Sequence, residues 1–461
     1  MTPYNKVGVL SSDPRKAALF ILNTLDQGNK TLDQVLDSLL SENPDMAKRD
    51  KALLHTLVYG VLRYRGRLDW VISTFSKTHI QKIDPSVLNI LRLGLFQFMF
   101  LDRVPVSAAV NTAVEMAKDI SAPWVVKYVN GVLRNASRGY KDVLLPKISD
   151  GAAKALAVSE SFPLWLIKRW LERFGLEETK ALLIALNEIP PMTVRTNTLK
   201  TDRETLLNGI REHFGSTHIA ARVPEGICLT APAIPVAQLE AFKKGWFAVQ
   251  DEGAQVISHF LNPKPGETIL DACAGLGGKT GHIAQLMENK GKIIAADKSA
   301  QKLSALTEDM LRLGFTIILP QLLDLTANDD ERATLKFDKV LLDAPCSGLG
   351  VIRRNPDTKW RMKPEKFKDL SRTQNQLLNH LSNRVKPGGV LVYTVCSMEP
   401  EENEDVVQLF LKNHGDFFVE KPTPPWPDWI KSLMDKRGYL RTYPHQHGMD
   451  GFFAVRLKRL D

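Results

Sequence analysis

The sequence predicts a multidomain protein: an all-α N-terminal bundle, a small α+β module and a C-terminal α/β domain on a doubly wound parallel sheet. Three observations carry this expectation. The 461 residues exceed one ordinary core and suggest two or three domains of roughly 150 residues each. Apolar residues recur every three or four positions as far as Arg138, which is the helical period. From Gly266 onward, short β-rich runs alternate with helical ones, as in sheets with helical crossovers.

In the first domain the helical period runs through Ala17, Leu19, Ile21, Leu22 and Leu25, and again through Val87, Ile90, Leu91, Leu95 and Phe98. Asn43-Pro44, Asp84-Pro85 and Val104-Pro105 supply breaks, because the residue before a proline is pushed out of the helical region. Residues 1–145 form this domain, and YKDVLLPKISDGAAK reads as a linker. Helical text over 164–187 stops at Pro190-Pro191. MTVRTNTLKTD then alternates like a strand and leads into an amphipathic stretch over 203–214, so a small α+β module is expected over 160–240. The third domain covers 241–461. Its strands are expected at 268–272, 292–297, 317–323, 339–343 and 390–395, and helices at 279–288, 300–313 and 364–385.

Composition narrows the function class. With 44% hydrophobic and 25% charged residues the chain falls in the range of globular proteins, which excludes disorder as its main state. Apolar runs such as 96–101 are far below the roughly 20 residues of a membrane helix, so no membrane association is expected. MTPYNKVGVLSSDPRK has no basic stretch followed by an apolar run, and a secretory signal is not expected. The four cysteines, Cys228, Cys273, Cys346 and Cys396, contain no CxxC pair; a reducing, cytoplasmic setting without a bound metal follows. His445 and His447 lack partners at ligand spacing and read as local structure. Lys and Arg total 61 against 52 acidic residues, and residues 1–150 hold 20 basic and 14 acidic. Such a surplus attracts polyanions through counterion release, although many basic proteins bind none.

In an open α/β sheet ligands bind beyond the carboxyl ends of the strands, so each expected strand end is informative. The first delivers DACAGLGGKT, where Gly275, Gly277 and Gly278 permit a tight turn and close approach to backbone N–H groups. A phosphate-binding P-loop needs a glycine six residues before Lys279, where Cys273 stands, so GKT is not that motif. The spacing also departs from GxGxxG. Asp297 ends the second strand, 19 residues after Gly278, where a carboxylate can accept both ribose hydroxyls; a solvated loop aspartate is the bland alternative. Asp324 follows the third strand and could lie near a base or merely cap the next element. Together these suggest a nucleoside cofactor without a pyrophosphate requirement. The fourth strand ends in LLDAPCSG, with Asp343 and Cys346, and the fifth in VYTVCSMEPEEN, with Cys396. A lone cysteine is usually a small buried hydrophobe, but two at adjacent strand ends of a ligand edge point to thiolate chemistry.

Directly after the fourth strand, eight basic and three acidic residues lie between Arg353 and Arg372. A solvated helix face is the plain reading. The position beside the strand ends, with Trp360 interleaved, instead favours a phosphate track and stacking surface for RNA on Arg353, Arg354, Lys359 and Arg361.

At this point AVQDEGAQ, DACAGLGGKT, DAPCSGLGVIRRNPD and VCSMEPEENE, in this order, resemble the motifs of RNA cytosine-5 methyltransferases. LVYGVLRYRGRLDW and VNGVLRNASR are similar to NusB-like helical domains. With the ending RTYPHQHGMDGFFAVRLKR, the whole chain resembles the RsmB (Sun/Fmu) family of bacterial 16S rRNA methyltransferases. The resemblance implies a NusB-like RNA-binding bundle, an RRM-like module and a Rossmann-like domain that uses S-adenosyl-L-methionine. It implies that Cys273, Ala274, Gly275, Leu276, Gly277, Gly278 and Lys279 hold the methionine part of the cofactor, Asp297 its ribose and Asp324 its adenine side. Asp343 would sit between cofactor and target base, Cys396 would be the nucleophile, and Cys346 would assist release of methylated RNA. The chain departs from the family pattern at Gly275-Leu276, where Ala-Pro is usual, and at Val395, where threonine is usual. Neither departure removes a reacting group. The expected partner is 16S rRNA before full subunit assembly, met by a monomer. Two alternatives remain open: a 5-methylcytosine enzyme for tRNA or another RNA, and a NusB-like antitermination factor with an inert methyltransferase domain.

Overall fold

In the computed structural model, residues 13–28, 30–326, 335–421 and 426–461 are described. The chain divides into two compact units: residues up to Asn187 with Arg354–Met362, and Glu188–Arg353 with Lys363–Asp461.

The first unit opens with helices α1 (Pro14–Asp26), α2 (Leu32–Glu42), α3 (Lys48–Phe75), α4 (Pro85–Phe100), α5 (Val106–Ile120) and α6 (Pro123–Gly139). The expected proline breaks all separate helices, and local chemistry fixes the starts. The Asp13 and Asp84 side chains accept backbone N–H bonds in front of Pro14 and Pro85, while Thr31 and Gln34 form a reciprocal capping box. Helix α4 is buried on nearly every side and forms the centre of the bundle. A Cβ at Gly60 would lie 1.9 Å from the Phe96 ring, so glycine there lets α3 and α4 approach.

One expectation about this unit needs correction. The end of the presumed linker, 152–154, already belongs to α7 (Ala152–Ser159), packed so closely that a Cβ on Gly66 of α3 would meet the Ala157 carbonyl at 3.0 Å. Helices α8 (Leu164–Phe174) and α9 (Leu176–Asn187), assigned from sequence to the small module, group with the bundle. Buried Trp170 packs on Phe162 with ring centroids 5.9 Å apart, and Asn187 Nδ2 donates to the Glu160 carbonyl at 2.6 Å.

The second unit holds two sheets. Strands β1 (Met192–Thr196), β2 (Phe214–Ile219), β3 (Gly226–Pro232) and β4 (Phe247–Val249), with α10 (Arg203–Ile210) and α11 (Glu240–Lys243), form an antiparallel sheet in the order β2-β3-β1-β4. After α12 (Glu252–Leu261), the larger sheet takes β5 (Thr268–Asp271), β6 (Lys292–Asp297), β7 (Ile318–Leu322), β8 (Phe337–Asp343) and β9 (Val385–Val395), all parallel. These five are the strands expected from sequence. Helices α13 (Gly278–Leu286), α14 (Ala300–Leu313) and α16 (Lys366–Ser382) follow β5, β6 and β8; α15 (Thr358–Arg361) lies in the first unit. After α17 (Glu404–Asn413) the chain adds β10 (Phe417–Val419), β11 (Leu440–Thr442) and β12 (Phe452–Arg459). The order β10-β12-β9-β8-β5-β6-β7 is therefore mixed, because β12 runs antiparallel to β9 and β10 antiparallel to β12. The doubly wound core is as expected and its antiparallel edge is a correction to an all-parallel sheet. That edge buries Phe452, Phe453 and Val455 against β9.

Candidate active site

The carboxyl ends of β5, β6, β8 and β9 carry the chemistry. Beyond β5 the chain turns through 272–277 into α13. Gly277 has φ +86° and a Cβ there would lie 2.6 Å from Leu306, so both backbone and packing demand glycine. The Gly275 N–H donates to Asp297 Oδ2 at 3.0 Å, and Ser299 N–H to Asp297 Oδ1 at 2.9 Å. The acid expected beside a ribose is thus fixed at the lip of the glycine turn. Added Cβ atoms at Gly275 or Gly278 would meet nothing within 4 Å, so open space lies over a backbone cradle of the kind a nucleoside cofactor requires. Leu276, where the family pattern has proline, points outward and is 65% exposed. Cys273 is half-buried, and burial, with Asp343, Asp271 and Asp297 nearby, pushes its thiol up to about 12; it stays protonated near neutrality.

Asp343, at the end of β8, accepts from Lys279 Nζ at 2.6 Å. Burial lowers the Lys279 pKa, but the charge and hydrogen bond of Asp343, with Cys396 and Asp271, outweigh this and hold it above its ordinary value. Behind the pair, Asp271 is buried and accepts from Thr280 Oγ1 at 2.7 Å. Its carboxyl is pushed up to about 7, chiefly by burial. The sulfur atoms of Cys346 and Cys396, 50 residues apart in sequence, lie 3.1 Å apart. Contact with Cys396, burial, and the charges of Glu402 and Asp343 raise the Cys346 thiol well above the usual range. Asp324 stands apart: it is exposed, accepts from Thr326 N and Oγ1 at 2.9 and 2.6 Å, and is held below the ordinary range by those bonds.

Two residues that sequence reasoning missed hold this site together. Glu402, in the turn after β9, is fully buried and its carboxylate accepts from Ser347 N (2.8 Å), Ser347 Oγ (2.5 Å), Ser397 Oγ (2.5 Å) and Gln374 Nε2 (3.1 Å). It ties together the loops that carry Cys346 and Cys396. Arg195, on β1, is buried and has no carboxylate partner among the described residues; it donates to Gly278 O at 2.9 Å, Gln285 Oε1 at 3.2 Å and Gln250 Oε1. The small sheet thereby grips the first turn of α13. The signal for Glu402 was its place in the motif VCSMEPEENE; an arginine inside an alternating strand carried none. Near Arg195, Glu225, His259 and His282 bring ligand-type atoms within 4.8 Å of one another, but the carboxylate already bonds His259 Nε2 at 3.0 Å, and the Arg195 charge acts on His282.

The basic run does not form the expected track. Arg353 is buried and bound to Asp450 at 2.6 Å and Asp251 at 3.5 Å. Lys359 is buried in the first unit, donating to Arg63 O at 3.0 Å and Asn187 Oδ1 at 3.2 Å. Trp360 donates to Leu62 O at 2.7 Å and Arg361 pairs with Asp357 at 2.9 Å, while Arg354 is half-buried. For Lys359, Trp360 and Arg361 the reason is that 354–362 belongs to the helical unit, whereas Arg353 is held by carboxylates of its own unit. The exposed cations of the run are Lys363, Lys366, Lys368 and Arg372.

A Rossmann-like sheet, a glycine cradle beside a ribose-type acid, and a helical domain ahead of them define the class of a methyltransferase with an N-terminal helical extension. Comparison with known proteins agrees. Residues 258–458 match the model of the 16S rRNA methyltransferase RsmB/F family, 12–138 the NusB family, and 162–237 the ferredoxin-like domain of RsmF/B-like methyltransferases. The probable ribosomal RNA small subunit methyltransferase B of Synechocystis is 37% identical over 96% of this chain and 99% of its own length. The chain belongs to the RsmB/F methyltransferase family. Its fold is similar to the crystal structure of PH0851 (28% identical, TM-score 0.80, covering 98% of this chain and 99% of that one). It is also similar to that of NSun6 from Pyrococcus horikoshii with SFG (26% identical, TM-score 0.57, covering 66% and 99%).

Proposed function

We propose that this protein transfers a methyl group from S-adenosyl-L-methionine to C5 of a cytidine in 16S rRNA, through a covalent adduct between Cys396 and C6 of the base. The observation that carries the reading is the 3.1 Å approach of Cys346 and Cys396 beside the Asp343–Lys279 pair. The rRNA substrate rests on the names of the family and its full-length relatives, and the cofactor on the methyltransferase family and the SFG-bound relative.

C5 of cytosine is a weak nucleophile, so a thiolate must first add to C6, moving the ring electron pair to C5. The two sulfur atoms are in hydrogen-bond contact at 3.1 Å, the Cys346 thiol is raised well above the usual range, and Cys396 is the one of the pair whose charge bears on Lys279; this arrangement assigns the attack to Cys396. The Asp343 carboxylate accepts from the N4 amino group, and as charge develops on the ring the proton that Lys279 gives to Asp343 passes on to N3, offsetting that charge. When bound over Cys273–Lys279, Asp297 and the Asp324 side, S-adenosyl-L-methionine supplies an electrophilic methyl group. Once C5 is methylated, a general base or water takes its proton, the electron pair of that C–H bond restores the C5–C6 double bond, and the C6–S bond breaks so that Cys396 leaves with its electron pair. Cys346 assists this release. The target base must be unstacked to enter.

The experiment is incubation with labelled S-adenosyl-L-methionine and either deproteinised 16S rRNA or a tRNA pool, followed by nucleoside analysis. Label in 5-methylcytidine from the 16S rRNA is expected. Label only in tRNA moves the protein to another RNA substrate, and no transfer to any RNA supports an inert domain.

A further inference from the structure

We propose that the exposed face of α6 is a docking track for the phosphodiester backbone of the RNA substrate, with Trp124 as a stacking platform at its head. This rests on the rRNA reading above and names a contact surface in the helical unit.

At about 100° per residue, Trp124, Lys127, Gly131, Arg134, Asn135 and Arg138 fall within roughly 100° of the helix circumference. All six are exposed, while Val125, Val129, Val132, Leu133 and Ala136 face the core. The helix, PWVVKYVNGVLRNASRG, contains no acidic residue. A helix face that is merely solvated generally mixes both signs, as on neighbouring α5, where Lys118 pairs with Glu115 at 2.7 Å. Among the described residues, Lys127, Arg134 and Arg138 have no ion pair or side-chain hydrogen bond. They extend over about 16 Å of helix at 1.5 Å per residue, a span of several phosphates.

Two further features suit a nucleic acid rather than an acidic protein. Trp124 leaves 71% of its surface in water, and a large indole beside cations is the usual stacking surface for an unpaired base. Midway, a Cβ on Gly131 would meet nothing within 4 Å, leaving the backbone open to close approach. At the far end Arg138 and Asn135 join Lys77 around a concavity of about 530 Å³. Lys77 also has no ion pair among the described residues. Phosphate can therefore be held along the track and at its end by cations with no internal partner to surrender.

The test uses the full chain and 16S rRNA, comparing wild type with Trp124→Ala and with the triple variant Lys127→Glu, Arg134→Glu, Arg138→Glu. RNA affinity is measured as a function of salt, and KM for RNA with kcat by methyl transfer. The triple variant should bind at least about tenfold more weakly, and the slope of log affinity against log salt should fall by about 2 to 3. Trp124→Ala should weaken binding on the order of tenfold with little change in slope. Because the residues are exposed, kcat at saturating RNA and affinity for S-adenosyl-L-methionine should be unchanged; the triple glutamine variant should fall between wild type and the reversal. Unchanged affinity and slope in a wild type that methylates rRNA would overturn the track. A wild type that methylates no RNA would instead defeat the reading it rests on, while a lowered salt slope for rRNA binding would still support the track.

Discussion

Ser347 and Glu402, 55 residues apart in sequence, are joined twice: the Ser347 amide and hydroxyl both donate to the Glu402 carboxylate, at 2.8 and 2.5 Å. Ser397 Oγ donates to the same carboxylate at 2.5 Å, so the neighbours of Cys346 and Cys396 share one acceptor. The Sγ–Sγ approach rests on this buried carboxyl group, whose four donors from Ser347, Ser397 and Gln374 tie the two loops to one acceptor. Glu402→Ala should lower kcat on the order of a hundredfold and destabilise the fold by roughly 2–5 kcal/mol, with a small change in KM for the cofactor. Glu402→Gln should recover much of the stability and part of kcat. Steady-state kinetics with urea unfolding check both; an Ala variant with native kcat would show that the loops hold themselves.

The Lys279–Asp343 pair should matter for rate more than for cofactor affinity. Lys279→Met leaves Asp343 without its cation and Cys396 without a neighbouring positive charge. A loss of about a hundredfold to a thousandfold in kcat is expected. Single-turnover methyl transfer measures it, and a variant within threefold of wild type would remove Lys279 from the reacting centre.

Asp271 gives a pH test. Its folded-state pKa, pushed up to about 7, exceeds the ordinary 3.8, so the folded chain holds this proton more tightly than the unfolded chain. The associated stability is present in full below about pH 4 and is lost as pH rises through about 7. Relative to wild type, Asp271→Asn should therefore gain stability between those pH values, by a few kcal/mol at most. Asparagine can still accept from Thr280 Oγ1. Urea midpoints from pH 4 to 8 read the difference, and parallel profiles would show that Asp271 ionises normally.

Lys359 separates the two readings of the basic run. Its burial, with Nζ on Arg63 O and Asn187 Oδ1, predicts that Lys359→Met leaves the salt slope of RNA binding unchanged. A slope lowered by about 1 would make it a phosphate contact.

The strand ends were legible because an open parallel sheet gathers whatever follows each strand onto one edge, so Asp297, Asp343, Cys346 and Cys396 could be ranked without knowing any distance. What escaped was contact between distant segments. Residues 354–362 look like a surface track in one dimension, yet Asp357 accepts from Leu32 N at 3.3 Å and Lys359 lies 3.8 Å from the Phe162 ring centroid; neither partner is near in sequence. Arg195 sits on β1, where the four residues from Thr193 to Thr196 are all buried, so alternation hid a buried cation. Likewise Glu402, in an acid-rich turn, looks solvated until its four donors are seen. The antiparallel β12 was hidden because its partner β9 is 50 or more residues earlier.

The central claim is that Cys396 bonds to the base and Cys346 releases it. The most direct measurement is methyl transfer to 16S rRNA by wild type, Cys396→Ala and Cys346→Ala, with denaturing gels that retain covalent protein–RNA species. The account predicts that Cys396→Ala transfers nothing and forms no adduct, whereas Cys346→Ala accumulates one. An adduct that persists in Cys396→Ala and vanishes in Cys346→Ala would contradict it.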